Sequence, residues 1–151
     1  SVEGGIGEVG YFKGKSSKGT DINQVKEYSI KSKVDAMAIS VGNTHLQTSK
    51  VAKIDFNKIL EIQKITKLPL VLHGSSGISN NIRKKVARMT NVGKFNIGTE
   101  LRMVGCKSLR KSYNKNINNF DKISILKPSI VELKKATIKV IKNIGPINAK
   151  K

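Results

Sequence analysis

Tryptophan is absent from this chain, and aromatic residues of every kind make up only 5% of it. The aromatic interleaving expected of a nucleic-acid surface is therefore missing. A single cysteine, Cys106, excludes an intramolecular disulfide and fits a reducing cytosol. No apolar run approaches the roughly 18 residues that a membrane-spanning helix needs. The first residues, "SVEGGIG", lack the charged, apolar and small-residue order of a secretory signal and read like mid-domain sequence. A cytoplasmic chain without a membrane segment is expected. Acidic residues are scarce as well, 10 against 29 lysines and arginines, so the net charge is +19. A charge of that size raises nucleic acid or an anionic surface as a partner. The positive residues are spread along the chain, densest from Arg83 to Lys115 and again toward Lys151. That scatter favours a lysine-rich solvated surface over a nucleic-acid interface, and leaves room for a phosphorylated substrate.

The 151 residues suit one domain. Near-continuous apolar runs at "VDAMAISVG" (34–42) and "LPLVLHG" (68–74) predict strands covered on both faces. "KFNIGT" (94–99) predicts a weaker strand, and "VEGGIG" (2–7) a fourth whose glycines weaken it. Helical patterns fall between and after them. One covers 21–32, with Asp21 as N-cap and Gln24 at capping-box spacing. Another covers 55–66 behind Asp55, with Phe56, Ile59, Leu60, Ile62 and Ile65 along one side. Two more cover about 79–90 and 100–115, and a last helix follows Pro128 and stops at Gly145–Pro146. Strands alternating with helices predict an α/β fold of parallel βα units. Four units suit either a small open sheet or half of a (β/α)8 barrel.

In parallel α/β folds, chemistry gathers at the C-terminal strand ends. The chain has two histidines, and both fall there. His45 follows one apolar run in "AMAISVGNTH", and His73 ends the next in "LPLVLHGSSG". Two imidazoles on one rim could ligate zinc. "HGSSG" offers backbone N–H groups and two hydroxyls to an anion. Asn96 and Thr99 close the third strand on the same side, and Glu100, opening a helix, is expected to point outward or cap that helix.

These segments, in this order, resemble the class II, zinc-dependent fructose/tagatose-bisphosphate aldolases, as the C-terminal half of a family member. "VDAMAISVGNTH" resembles the family strand ending in glycine, two residues and a zinc histidine. "KIDFNKILEIQKITKLPLVLHGSSGI" is similar to the helix and strand carrying a second zinc histidine, and "KFNIGTELR" to the asparagine-to-threonine phosphate loop. "VEGGIGEVG" resembles the segment where glutamates alternate with small residues, and "LKPS" and "IGPINAK" fit the family's C-terminal helix boundaries. The resemblance implies half of a TIM barrel, four βα units plus a C-terminal helix, with 1–151 as a single partial-barrel domain. It implies Zn2+ as cofactor, His45 and His73 as metal ligands, and Glu3 as a carboxylate able to contact the metal. Gly74, Ser75, Ser76, Asn96, Ile97, Gly98 and Thr99 would bind a substrate phosphate. The implied reaction is reversible cleavage of a ketose bisphosphate to dihydroxyacetone phosphate and glyceraldehyde 3-phosphate. A homo-oligomer is implied once the N-terminal half completes the barrel.

The departures from that pattern are specific. The family's third zinc histidine and its catalytic aspartate belong to the N-terminal half, so no catalytic residue is assigned here. Leu46 stands where the family has a glycine of the phosphate site, and Gly5 stands at the second glutamate. The loop "GYFKGKSSKG" (10–19) carries no carboxylate, Ile123 falls near a family arginine with Lys122 beside it, and a residue is inserted around Thr90–Val92. A non-catalytic half barrel that assembles with a partner chain is the rival reading, and a basic nucleic-acid-binding protein the third. The choice between fructose and tagatose bisphosphate is not legible in these loops.

Overall fold

A computed structural model describes residues 1–11, 13 and 18–145. The expected loop at 10–19 therefore lies partly outside the described residues, as do Pro146 and the rest of "PINAKK". Four strands, β1 (Glu3–Ile6), β3 (Ala36–Ile39), β5 (Leu70–Leu72) and β6 (Val92–Phe95), form one wholly parallel sheet. Their order is β1-β3-β5-β6, each new strand adding beside the last. A doubly wound sheet would reverse direction at a switch point. The monotonic order is that of a barrel wall, and both lateral edges of this sheet, β1 and β6, are open among the described residues. Two further short strands, β2 (Gly10–Tyr11) and β4 (Thr44–His45), pair in parallel with each other beyond the main sheet. Nothing in the apolar patterning announces two-residue strands, and their pairing came only with the structure.

Alternation along the strands sorts the two faces. Met37, Ile39, Leu70, Leu72 and Val92 join Val25, Ile59, Ile62, Ile78 and Val86 in one buried cluster between sheet and helices. The helices are α1 (Ile22–Lys31), α2 (Phe56–Ile65) and α3 (Asn80–Met89), with α4 (Thr99–Lys115) and α5 (Lys122–Ile144) packed on each other. The opposite face carries the row Gly5, Ala38, Val71 and Lys94. The pairing slips by one residue between Leu70 and Val71, so that Gly93 has no partner of its own. This bulge lies beside the stretch expected to hold an inserted residue, and it keeps Lys94 on the inner face.

Capping explains most helix starts. Asp21 accepts from the Asn23 N–H, Asp55 from Lys58 and Ser79 from Ile82. The last helix is a correction. It begins six residues before Pro128, because Asp121 accepts from both Ile123 and Ser124 N–H and fixes the first turn there. Pro128 is carried inside the helix. The third strand also starts and stops earlier than expected, at Val92 and Phe95, leaving 96–98 as the loop into α4. No helix of the described residues is long and apolar enough to cross a membrane.

Candidate active-site rim

His45 and His73 reach the same rim from different supports. His73 follows β5 directly, while His45 is the last residue of β4. Their ring centroids are 5.9 Å apart in an edge-on arrangement, and Tyr11 of β2 flanks His45 at 5.2 Å. Asn43, which sequence reasoning passed over, ties the two strand ends together. Its Nδ2 donates to the Ile39 and His73 carbonyls at 3.3 and 3.0 Å, and its Oδ1 accepts from the Val41 N–H at 2.7 Å. It is almost wholly buried, and three bonds to the backbone make it a staple. Burial, with a smaller contribution from His73, holds the His45 pKa below the usual histidine value. The ring is thus neutral near pH 7, the form that offers a lone pair to a metal.

Glu3 lies across the open face from β1. Its carboxylate accepts from His73 Nε2 at 2.9 Å and from Lys94 Nζ at 2.7 Å. Asn96 Nδ2 lies 3.2 Å from His73 Nδ1. Together these partners select the tautomer with the proton on Nε2. The hydrogen bonds from Lys94 and then His73 keep the Glu3 carboxyl below its ordinary pKa. Glu3 is therefore a hydrogen-bond partner of His73 in this arrangement, not a free third donor.

The loop after His73 makes the second half of the site. Gly74 adopts φ +61° and is followed by a 3-10 turn, Ser75–Gly77. The two serines, expected to act alike, divide. Ser75 is fully buried, its hydroxyl donating to the Leu72 carbonyl and its N–H to the Asn96 carbonyl. Both of its donors are spent holding the loop, and it does not line the cavity. Ser76 does line it, with Gly74, Asn96, Ile97, Gly98 and Thr99, beside His45 and Leu46. The cavity measures about 320 Å³. The Ser76 hydroxyl oxygen accepts from the Glu100 N–H at 3.1 Å, which leaves its proton free for a ligand. Gly98, the N-cap of α4, brings no side chain, and with the Glu100 N–H taken by Ser76 the N–H groups of Thr99 and Leu101 are the ones left at this helix start.

Glu100 corrects a second expectation. It neither points outward nor caps α4; its carboxylate accepts from the buried Arg83 of α3 at 2.8 Å and from Lys50 at 2.9 Å. Burial pushes the Glu100 pKa up, but these two cations outweigh it and leave the group below its ordinary value. The acid beside this cavity is thereby drawn toward Arg83 and Lys50 and neutralised.

The family model for class II fructose-bisphosphate aldolases matches residues 1–149. The chain belongs to that family. Among curated relatives, the 6-phospho-5-dehydro-2-deoxy-D-gluconate aldolase of Shouchella clausii is 28% identical over 98% of this chain and 51% of its own length. The crystal structure of the YdjI aldolase from Escherichia coli superposes with a TM-score of 0.72 at 26% identity, over 95% of this chain and 48% of that one. A fructose-bisphosphate aldolase from Campylobacter jejuni, at 18% identity and a TM-score of 0.66 over 87% of this chain and 47% of that one, bears on the fold alone. The chain thus spans about half the length of the class II aldolases it matches, and its fold is half of their TIM barrel.

Whether the aldolase rim fits zinc can be judged from its donors. Two imidazoles share it, and one is held neutral by burial. Zinc takes three or four such ligands. Among the described residues no group of three His, Cys, Asp or Glu is placed to hold a metal ion together. His45 fits as a ligand, and His73 fits only once Glu3 gives up its Nε2 or Asn96 its Nδ1; with both imidazoles turned to a metal, the rim is two ligands short of a closed shell.

Proposed function

We propose that this chain is the C-terminal half of a zinc-dependent class II aldolase acting on a ketose bisphosphate, and that it turns over only with the N-terminal half restored. The observation carrying this reading is the meeting of two histidines and a cavity lined by the Ser76 and Thr99 hydroxyls on one rim of a half barrel. His45 and His73 would hold the metal, His73 by giving up one of its two present partners, Glu3 on Nε2 or Asn96 on Nδ1, while the other keeps the ring in place. When bound, zinc supplies a Lewis acid for the substrate carbonyl. The chain's own part is positional. Ser76, Thr99 and the remaining first-turn N–H groups of α4 hold one phosphate, which sets the nearby carbonyl carbon against the histidine pair. The products are dihydroxyacetone phosphate and glyceraldehyde 3-phosphate. On the family resemblance, the completed protein would be a cytoplasmic homo-oligomer.

A second reading, a non-catalytic half barrel that assembles with a partner chain, draws support from Leu46, whose side chain narrows the anion cavity, and from Gly5, which removes a carboxylate from β1. One assay separates the two. Aldol cleavage is measured for the chain alone and for the chain co-expressed with the N-terminal half of a class II relative, each with and without a chelator. The aldolase reading expects turnover only in the complemented, metal-replete sample. Zinc-dependent turnover by the chain alone removes the half-enzyme reading, and a folded complex without turnover removes the catalytic one.

A further inference from the structure

The anion cavity has one permanently charged side chain on its wall, and it is not among the residues assigned above. Arg102 sits one turn into α4, and its guanidinium donates to the Thr99 hydroxyl at 3.2 Å. The group lies flat over Gly98. A Cβ at that position would come 3.0 Å from one terminal nitrogen, 3.4 Å from the central carbon and 3.5 Å from the other nitrogen. Gly98 is thus the seat of the guanidinium, and a side chain there would lift it. Among the described residues Arg102 has no carboxylate partner, while Glu100, two residues before it, is neutralised on the far side by Arg83 and Lys50. The anion loop therefore faces an unpaired cation and no unpaired anion. A guanidinium presents a planar fork of N–H donors matched to phosphate oxygens, and only one of those hydrogens is taken up by Thr99.

The opposite wall adds a reason for this arrangement. Leu46 lines the same cavity in the left-handed region, φ +58°. Its side chain keeps a ligand from lying against the backbone there. Recognition is pushed from backbone N–H groups on that wall toward a side-chain cation on the other.

We propose, resting on the aldolase reading, that Arg102 binds the phosphate monoester of the substrate and makes this cavity select phosphate over other anions. The test uses the whole chain and follows the amide NMR signals of Gly74, Ser76 and Thr99. The probes are dihydroxyacetone phosphate, sulfate and unphosphorylated dihydroxyacetone, in about 0.15 M salt, where distant charges are screened. The unaltered chain is expected to bind dihydroxyacetone phosphate, sulfate more weakly, and dihydroxyacetone not measurably. Arg102→Gln should weaken the phosphate ester about tenfold and narrow its lead over sulfate, with no change in the thermal melt. Arg102→Lys, which keeps the charge without the fork, should recover part of the loss. Arg102→Gln binding as tightly as the unaltered chain, while Ser76→Ala binds less, would remove Arg102 and leave the cavity standing. Equal binding of all three probes by the unaltered chain, or no binding of any, would overturn the cavity and Arg102 together.

Discussion

Replacing Gly74 by alanine tests whether the two histidines are held by backbone contact between β4 and the loop after β5. Gly74 has φ +61°, where a Cβ costs roughly 1 kcal/mol. The added carbon would also fall 2.3 Å from the Thr44 carbonyl oxygen and 3.0 Å from the His45 nitrogen. Both are backbone atoms, so β4 must retreat by roughly an ångström. Forced shifts of that kind in packed regions cost roughly 1–3 kcal/mol. Alanine's lower unfolded-state entropy returns about 0.5–1 kcal/mol. The net is a loss of about 1–3.5 kcal/mol. With a urea slope of about 2 kcal/mol/M, the unfolding midpoint should fall by roughly 0.5–1.7 M. Gly93→Ala is the control, since its Cβ would meet only Pro69 at an ordinary 3.7 Å. It should shift stability by no more than about 0.5 kcal/mol. Equal midpoints for the two variants would refute the reasoning, because the left-handed backbone and the Thr44 contact would then carry no energy.

At Leu46, which is left-handed and largely exposed, glycine should be more stable than alanine by about 1 kcal/mol in thermal unfolding, the reverse of the order at an ordinary exposed site. Ser76→Ala should weaken dihydroxyacetone phosphate by about 1–3 kcal/mol in calorimetric competition against sulfate, and an unchanged constant would show that its hydroxyl does not donate to the ligand. Glu100 titrates below its ordinary value of 4.5 in the folded chain, so on acidification the unfolded state takes up its proton first. Its stabilising contribution is present above about pH 4.5 and drains away as the pH falls through the lower folded value. Denaturation followed from pH 7 to 3 should therefore fall less steeply for Glu100→Gln, and parallel curves would show that Arg83 and Lys50 do not hold the charged form.

The parts of the fold legible in the sequence are those where one residue type has one job. Apolar runs at 34–42 and 68–74 mark β3 and β5, and Asp21 and Asp55 each cap a helix. The rim could be found because both histidines follow such runs. Pro128 misled, since proline is a good first-turn residue but Asp121 had already set the first turn upstream. Ser75 and Ser76 are neighbours of one type, and only three-dimensional placement tells that one bonds inward and the other faces a cavity. Glu100 and Arg102 read alike as surface charges of a helix. Their opposite fates depend on Arg83, seventeen residues before Glu100, and on the bare backbone of Gly98, neither of which periodicity can weigh.

The two open edges of the sheet have a consequence for how this chain behaves in solution. A closed barrel has no unpaired strand, but β1 and β6 each present a row of free backbone donors and acceptors. Such rows pair with whatever extended chain is offered. Any segment that completes the barrel and any second copy of this half barrel would use the same two edges and so exclude one another there. Covering β1 and β6 is thus at once the step that closes the wall and the step that removes the sites of edge-to-edge association.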